Sequence, residues 1–187
     1  MKKMLLTSFF LLLVVNLQAQ DQQEAMKAWM EYMTPGPMHQ MMAKMAGDWK
    51  TVTIFVDPAT GNETKSEGSA NFEIILGGRY MKSVHSGEMM GMPFEGFGID
   101  AYDNGTKEFI SVWIDNMGTG MIMMKGTYDE KTNSLSFTGE GYDPSVGKKM
   151  RYRSVSKWIN DDKTVFDMFG EVNGQEMKMF TMEYLRK

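Results

Sequence analysis

Over residues 21–46 the apolar positions recur every three or four residues. Met26, Met30 and Met33 come with Trp29, and Met38, Met41, Met42 and Met45 follow the break at Pro35-Gly36-Pro37. That spacing predicts two short helices, the second ended by Gly47. Beyond Gly47 the period falls to two, with turn signals every ten to fifteen residues. They fall at 57–62, 77–78, 87–93, 103–105, 116–118, 129–133, 143–147, 160–162 and 173–174. Nine turns imply ten strands. Asn104-Gly105 and Asn173-Gly174 read as hairpin turns whose central residues favour positive φ. With no helical pattern between strands, a parallel βαβ sheet is not expected.

The strand faces mix large apolar groups with isolated polar ones. In the 109–115 strand one face holds Ile110, Val112 and Ile114, and the other Phe109, Ser111, Trp113 and Asp115. In the 79–85 strand one face holds Arg79, Met81, Ser83 and His85. A dry sandwich core disfavours such isolated polar groups. The lining of a barrel around a small ligand or water accommodates them. The predicted fold is therefore all-β: a ten-stranded antiparallel up-and-down barrel with an N-terminal helical cap, an arrangement without exposed strand edges.

The N-terminus reads differently. Lys2 and Lys3 precede an apolar run from Met4 to Val15, then Leu17-Gln18-Ala19. This is the pattern of a secretory signal peptide, and the run is shorter than a membrane-spanning helix needs. The expected organisation is a signal peptide at 1–19, a helical cap segment at 20–46 and a barrel at 47–187. The expected location is periplasmic or extracellular. No cysteine follows the apolar run, so lipid attachment is not expected. Loss of Lys2 and Lys3 takes the formal charge from −4 to −6. Scattered acidity of that kind suits neither nucleic acid nor anionic lipid. The absence of cysteine removes thiolate nucleophiles and sulfur-based zinc sites.

Gly47-Asp48-Trp49 opens the first strand and Arg186 lies at the end of the last. This resembles the lipocalin and fatty-acid-binding (calycin) pattern, in which a tryptophan on the first strand packs near a late basic residue. A longer ordered series comprises GPMHQMMAKMAGDW, LGGRY, GEMMGMPFEGFGIDAYDN, WIDNMGTG and EYLRK. It resembles the bacterial family known as domain of unknown function 1579, over roughly residues 36–187. The resemblance implies a calycin-like barrel in an exported protein and no assigned activity. Nitrobindin-type haem barrels are similar in architecture but carry a haem-ligating histidine late in the chain. The histidines here are His39 and His85, so no haem or other cofactor is expected.

The candidate site begins with WIDNMGTG. Trp113, Asp115 and Thr119 bracket a short connection, which serves as turn chemistry or as one rim of a barrel mouth. If Trp113 and Asp115 point inward, alternation predicts that Met121 and Met123 line the same interior from the next strand. Arg79 and His85 share a face and join this set. Arg151 and Arg153 alternate on one strand. An inward Arg153 would need a partner and would suit a carboxylate ligand, as the fatty-acid-binding resemblance suggests. His39 near a helix start reads as a cap or packing residue. His85 and Asp100 are candidate acid–base groups, but no recognised catalytic motif accompanies them.

Three functions remain open, beside a structural or partner-binding module. The first is non-covalent binding of a small apolar or amphipathic molecule inside the barrel. The second is an enzyme using Trp113, Asp115, Arg79 and His85 at the mouth. The third is a copper(I) handler built on Met38, Met41, Met42 and Met45, whose spacing also suits simple packing. Met89, Met90 and Met92 form a second thioether cluster, and exposed methionines can also scavenge oxidants.

Overall fold

The computed structural model describes residues 21–56, 60–89, 91–172 and 174–187. The signal-peptide segment and parts of three turn signals (57–59, Met90 and Asn173) lie outside the described residues. The chain forms two compact units, 1–34 and 35–187. In the first, residues 21–33 (α1) are helical, with Met26, Trp29, Met30 and Met33 exposed along one side.

The second unit holds a short helix, α2 (Pro37–Ala43), and ten strands. They are β1 (Gly47–Val56), β2 (Glu63–Ile75), β3 (Tyr80–Met89), β4 (Met92–Asp103), β5 (Glu108–Asp115), β6 (Ile122–Asp129), β7 (Ser134–Asp143), β8 (Lys148–Asn160), β9 (Lys163–Val172) and β10 (Gln175–Arg186). Each strand pairs antiparallel with its sequence neighbours, and β1 pairs β10 to close the barrel. The predicted ten-stranded antiparallel up-and-down barrel is the observed one.

Two turn expectations need correction. Segment 87–93 is not a turn throughout. β3 runs to Met89 and β4 starts at Met92, leaving a tight connection. At Asn104-Gly105 the residue with positive φ is Lys107, at 59°. Asp103 Oδ1 accepts from the Gly105 and Thr106 N–H groups, and Lys107 N–H bonds Asp103 O at 2.8 Å. The side chain of Asp103 thus builds a four-residue loop, where Asn-Gly alone suggested a two-residue one.

One end of the barrel is sealed. Trp49 is 1% exposed, and its Nε1 donates to Met45 O at 2.8 Å. Arg186 pairs with Trp49 in register and lies 4.2 Å over its ring. The guanidinium donates to Ala46 O, Lys44 O and Asp161 O at 2.7–2.9 Å. It thereby satisfies carbonyls left bare where α2 ends. The methionine face of α2 is a packing face. Met42 and Met45 are 2% and 5% exposed, Met38 and Met41 pack against the same cluster, and Thr164 Oγ1 donates to Met45 Sδ. His39 is buried and caps the helix, its Nδ1 accepting the Gly36 N–H at 3.0 Å.

Candidate functional site

At the opposite end the side chains leave room. The inner face of β3 carries Ser83 and His85, that of β4 Gly96, Gly98 and Asp100, and that of β5 Ser111, Trp113 and Asp115. Two glycines on β4 let the indole of Trp113 lie against the wall. A Cβ on Gly96 would collide with Trp113, and one on Gly98 would meet Ser83 Oγ at 2.6 Å. The His85 ring meets Trp113 edge-on at 5.1 Å, and Phe94 stacks on its other side. Trp113 Nε1 donates to Asp115 Oδ2 at 2.8 Å, while Asp115 Oδ1 accepts the Met117 N–H at 3.0 Å. Asp115 thus fixes the indole and starts the loop at once.

Deeper in, His85 Nε2 and the Tyr184 hydroxyl are 3.0 Å apart. His85 Nδ1 is buried with no hydrogen-bond partner. Burial pushes the His85 pKa down to about 4, so the ring is neutral near pH 7. Burial pushes Asp100 up to about 6, against a hydrogen bond from Ser111 that favours the carboxylate. Burial, with the nearby Asp100 charge, pushes Tyr184 upward, so it remains a phenol.

The wall opens between β2 and β3. Their ladder stops at Ser69 and Ser86, although β2 begins at Glu63 and β3 continues to Met89. Beyond that point Ser66 Oγ reaches across to Glu88 O at 2.7 Å. Gly68 permits the close approach just inside, since a Cβ there would meet Ser86 O at 2.5 Å and Thr51 Oγ1 at 2.8 Å. A cavity of about 30 Å³ enters here, with Thr51, Thr53, Phe55, Phe94, Met182 and His85 on its walls. An outer opening of about 530 Å³ adjoins it, bounded by Phe55, Thr64, Lys65, Ser66, Glu67, Glu88 and Gly91.

Of the residues singled out in the sequence, the structure brings together His85, Trp113 and Asp115. It separates the others. Met121 and Met123 are 63% and 56% exposed. Trp113 pairs with Ile122, so the inward positions of β6 are Ile122, Met124, Gly126 and Tyr128. A six-residue connection, 116–121, sets that parity. Arg79 precedes β3 in a turn where Leu76, Gly77 and Gly78 all have positive φ. Alternation therefore does not extend to it, and its guanidinium bonds Leu76 O at 3.0 Å. Arg153 lies on the outer face, doubly bonded to Glu176 and 4.0 Å over Phe169. It holds a carboxylate of its own chain and none inside the barrel. Thr119 is exposed in the loop. The alternation reading missed Tyr184, Thr51 and Thr53, while Ser111 was placed on the face of Trp113 and Asp115 but not singled out. Tyr184 was visible only as part of the closing EYLRK segment. Among the described residues no group of three or more His, Cys, Asp or Glu side chains forms a metal site. No described helix is long and apolar enough to cross a membrane.

Residues 34–186 match a family described as protein of unknown function, DUF1579. No curated protein matches the sequence. Among solved structures, Rv2717c from M. tuberculosis is similar at 14% identity and a TM-score of 0.61, covering 82% of this chain and 99% of that one. A redesigned beta barrel matches at 16% identity and a TM-score of 0.39, over 79% and 95%. Only the first score is high enough to bear on architecture, and at that identity it speaks to fold alone.

Proposed function

The chain belongs to the DUF1579 family, whose description assigns no activity, and we propose that it is an exported protein binding a small amphipathic molecule non-covalently at the open seam of the barrel. The observation that carries this reading is the cavity that runs in from the β2–β3 seam to His85, walled by Thr51, Thr53, Phe55, Phe94 and Met182. The narrow cavity has room for about two water molecules, so only the polar end of a ligand enters it. The apolar body rests in the wider opening against Phe55, with Met89 and Phe94 on the walls of the narrow cavity. Burial of that body supplies most of the affinity.

Calorimetric titration with octanol, octylamine and octanoate tests the reading. At least one saturates the protein at a single site, and Thr53→Trp, which fills the narrow cavity, abolishes that binding without unfolding the barrel. Absence of saturable binding for all three refutes it.

A further inference from the structure

We propose that the exposed face of α1 is a soft-metal site that takes one copper(I) ion on the thioethers of Met26, Met30 and Met33. This helix precedes the family-matched residues 34–186, so the proposal is independent of the binding reading above. The two helices of the chain carry methionines at similar spacing and use them differently. On α2 the face is filled: Met42 and Met45 are buried, and Thr164 Oγ1 already donates to Met45 Sδ at 3.4 Å. On α1, Met26, Met30 and Met33 are 63%, 56% and 43% exposed. Packing accounts for the first set and not for the second. No leucine, isoleucine or valine occurs in α1, so its apolar face is thioether and indole alone.

The helix brings these three sulfur atoms within reach of one ion. Positions 26, 30 and 33 fall within about 60° around the axis, with successive steps of about 6 Å and 4.5 Å along it. Methionine is unbranched and has three rotatable side-chain bonds, so three such arms can converge on the middle one. Trp29 lies beside them on the same face, its ring edge-on to Tyr32 at 5.8 Å, and an indole face attracts a cation. The donors select the metal. Neutral thioethers are soft ligands and favour copper(I) over zinc or harder ions. Neither cysteine nor, among the described residues, any group of three His, Cys, Asp or Glu side chains offers a competing site. The charge of α1 also suits a cation. Asp21, Glu24 and Glu31 against Lys27 leave it at −2, and Lys27 is drawn to Glu31 at 3.9 Å.

The test is titration of the full-length chain, labelled with ¹³C-methyl methionine, with copper(I) kept reduced by ascorbate under argon at pH 7. One equivalent should saturate the protein and shift three methionine methyl signals. Met26→Leu, Met30→Leu and Met33→Leu should each weaken binding by at least the roughly tenfold that losing even an outer partner of a metal ligand costs. The triple variant should bind no copper(I). Leucine keeps the volume, the apolarity and the helix propensity, so a face that only docks on apolar surface survives this change. Far-ultraviolet circular dichroism checks that the helix persists. Met121→Leu with Met123→Leu, equally exposed on the barrel, should leave the affinity unchanged. Absence of a saturable copper(I) site overturns the proposal. So does a triple variant that binds like the wild type, a loss of binding in the Met121→Leu, Met123→Leu variant, or displacement of copper(I) by equimolar zinc(II).

Discussion

The two ends of the barrel use the same kinds of side chain to opposite effect. At the closed end an aromatic ring, an arginine and a helix end satisfy one another completely. Trp49 Nε1 has its carbonyl, and Arg186 has three carbonyls and a ring face. At the open end Trp113 is also satisfied, by Asp115, but the histidine beside it is not. The first end is filled and bridged, although Trp158 Nε1 beside it is buried without a partner, and it is a seal. The second leaves a cavity beside His85, and that space marks a site.

The contrast is sharpest under truncation. Trp49→Ala should cost roughly 3–5 kcal/mol, because it removes a fully buried ring and strands Arg186. Denaturant unfolding reads this directly, and an unchanged midpoint would show that the closed end is not the structural anchor. On β6, Met124→Ala should cost about 2–4 kcal/mol while Met123→Ala stays within about 0.5 kcal/mol. Equal losses would mean that the inward parity of that strand is wrong. At the open end Gly96→Ala should cost about 1–3 kcal/mol by pushing the indole off the wall. Its clearest readout is the near-ultraviolet dichroism of Trp113, which should change with little change in the far-ultraviolet. A spectrum like the wild type would place Trp113 elsewhere.

A fourth prediction concerns acid. His85 is depressed to about 4, so the folded state resists its protonation. Its contribution to stability is complete above the unfolded value near 6.5 and is lost as pH falls toward 4. Asp100 is raised to about 6, so the folded state holds its proton more tightly than the unfolded chain does. Its contribution grows as pH falls from 6 toward 4. The two slopes oppose each other, each about 1 kcal/mol per pH unit at most. Relative to the wild type, Asp100→Asn should lose stability on acidification over this window and His85→Asn should gain it. Parallel curves for all three proteins would dissolve the cluster as a titrating unit. The smallest effect should come from Asp115→Asn. The amide has one accepting oxygen where the carboxylate uses two, so it keeps either the Trp113 Nε1–H or the Met117 N–H and turns an NH2 toward the other; the loss should be about 1 kcal/mol, a fall of roughly 2–4 °C in the thermal midpoint.

What the sequence determined by itself was period and punctuation. Alternation after Gly47, nine turn signals and the Gly-x-Trp opening with Arg186 were enough for ten strands, a closed barrel and its sealed base. These are local properties: a strand's period and a turn's chemistry are set by neighbours in the chain. The sequence also placed Trp113, Asp115 and His85 on faces that prove to be inward. It could not tell which face Met123 would take. That depends on whether the connection before Ile122 shifts the register by an even or an odd number, a property of the loop as folded. Nor could it exclude Arg79, since strand alternation held until three successive residues of positive φ interrupted it. Tyr184 lies 99 positions from His85. Only closure of β10 onto β1 brings it across the barrel, and only the early end of the β2–β3 ladder leaves the seam through which His85 is reached.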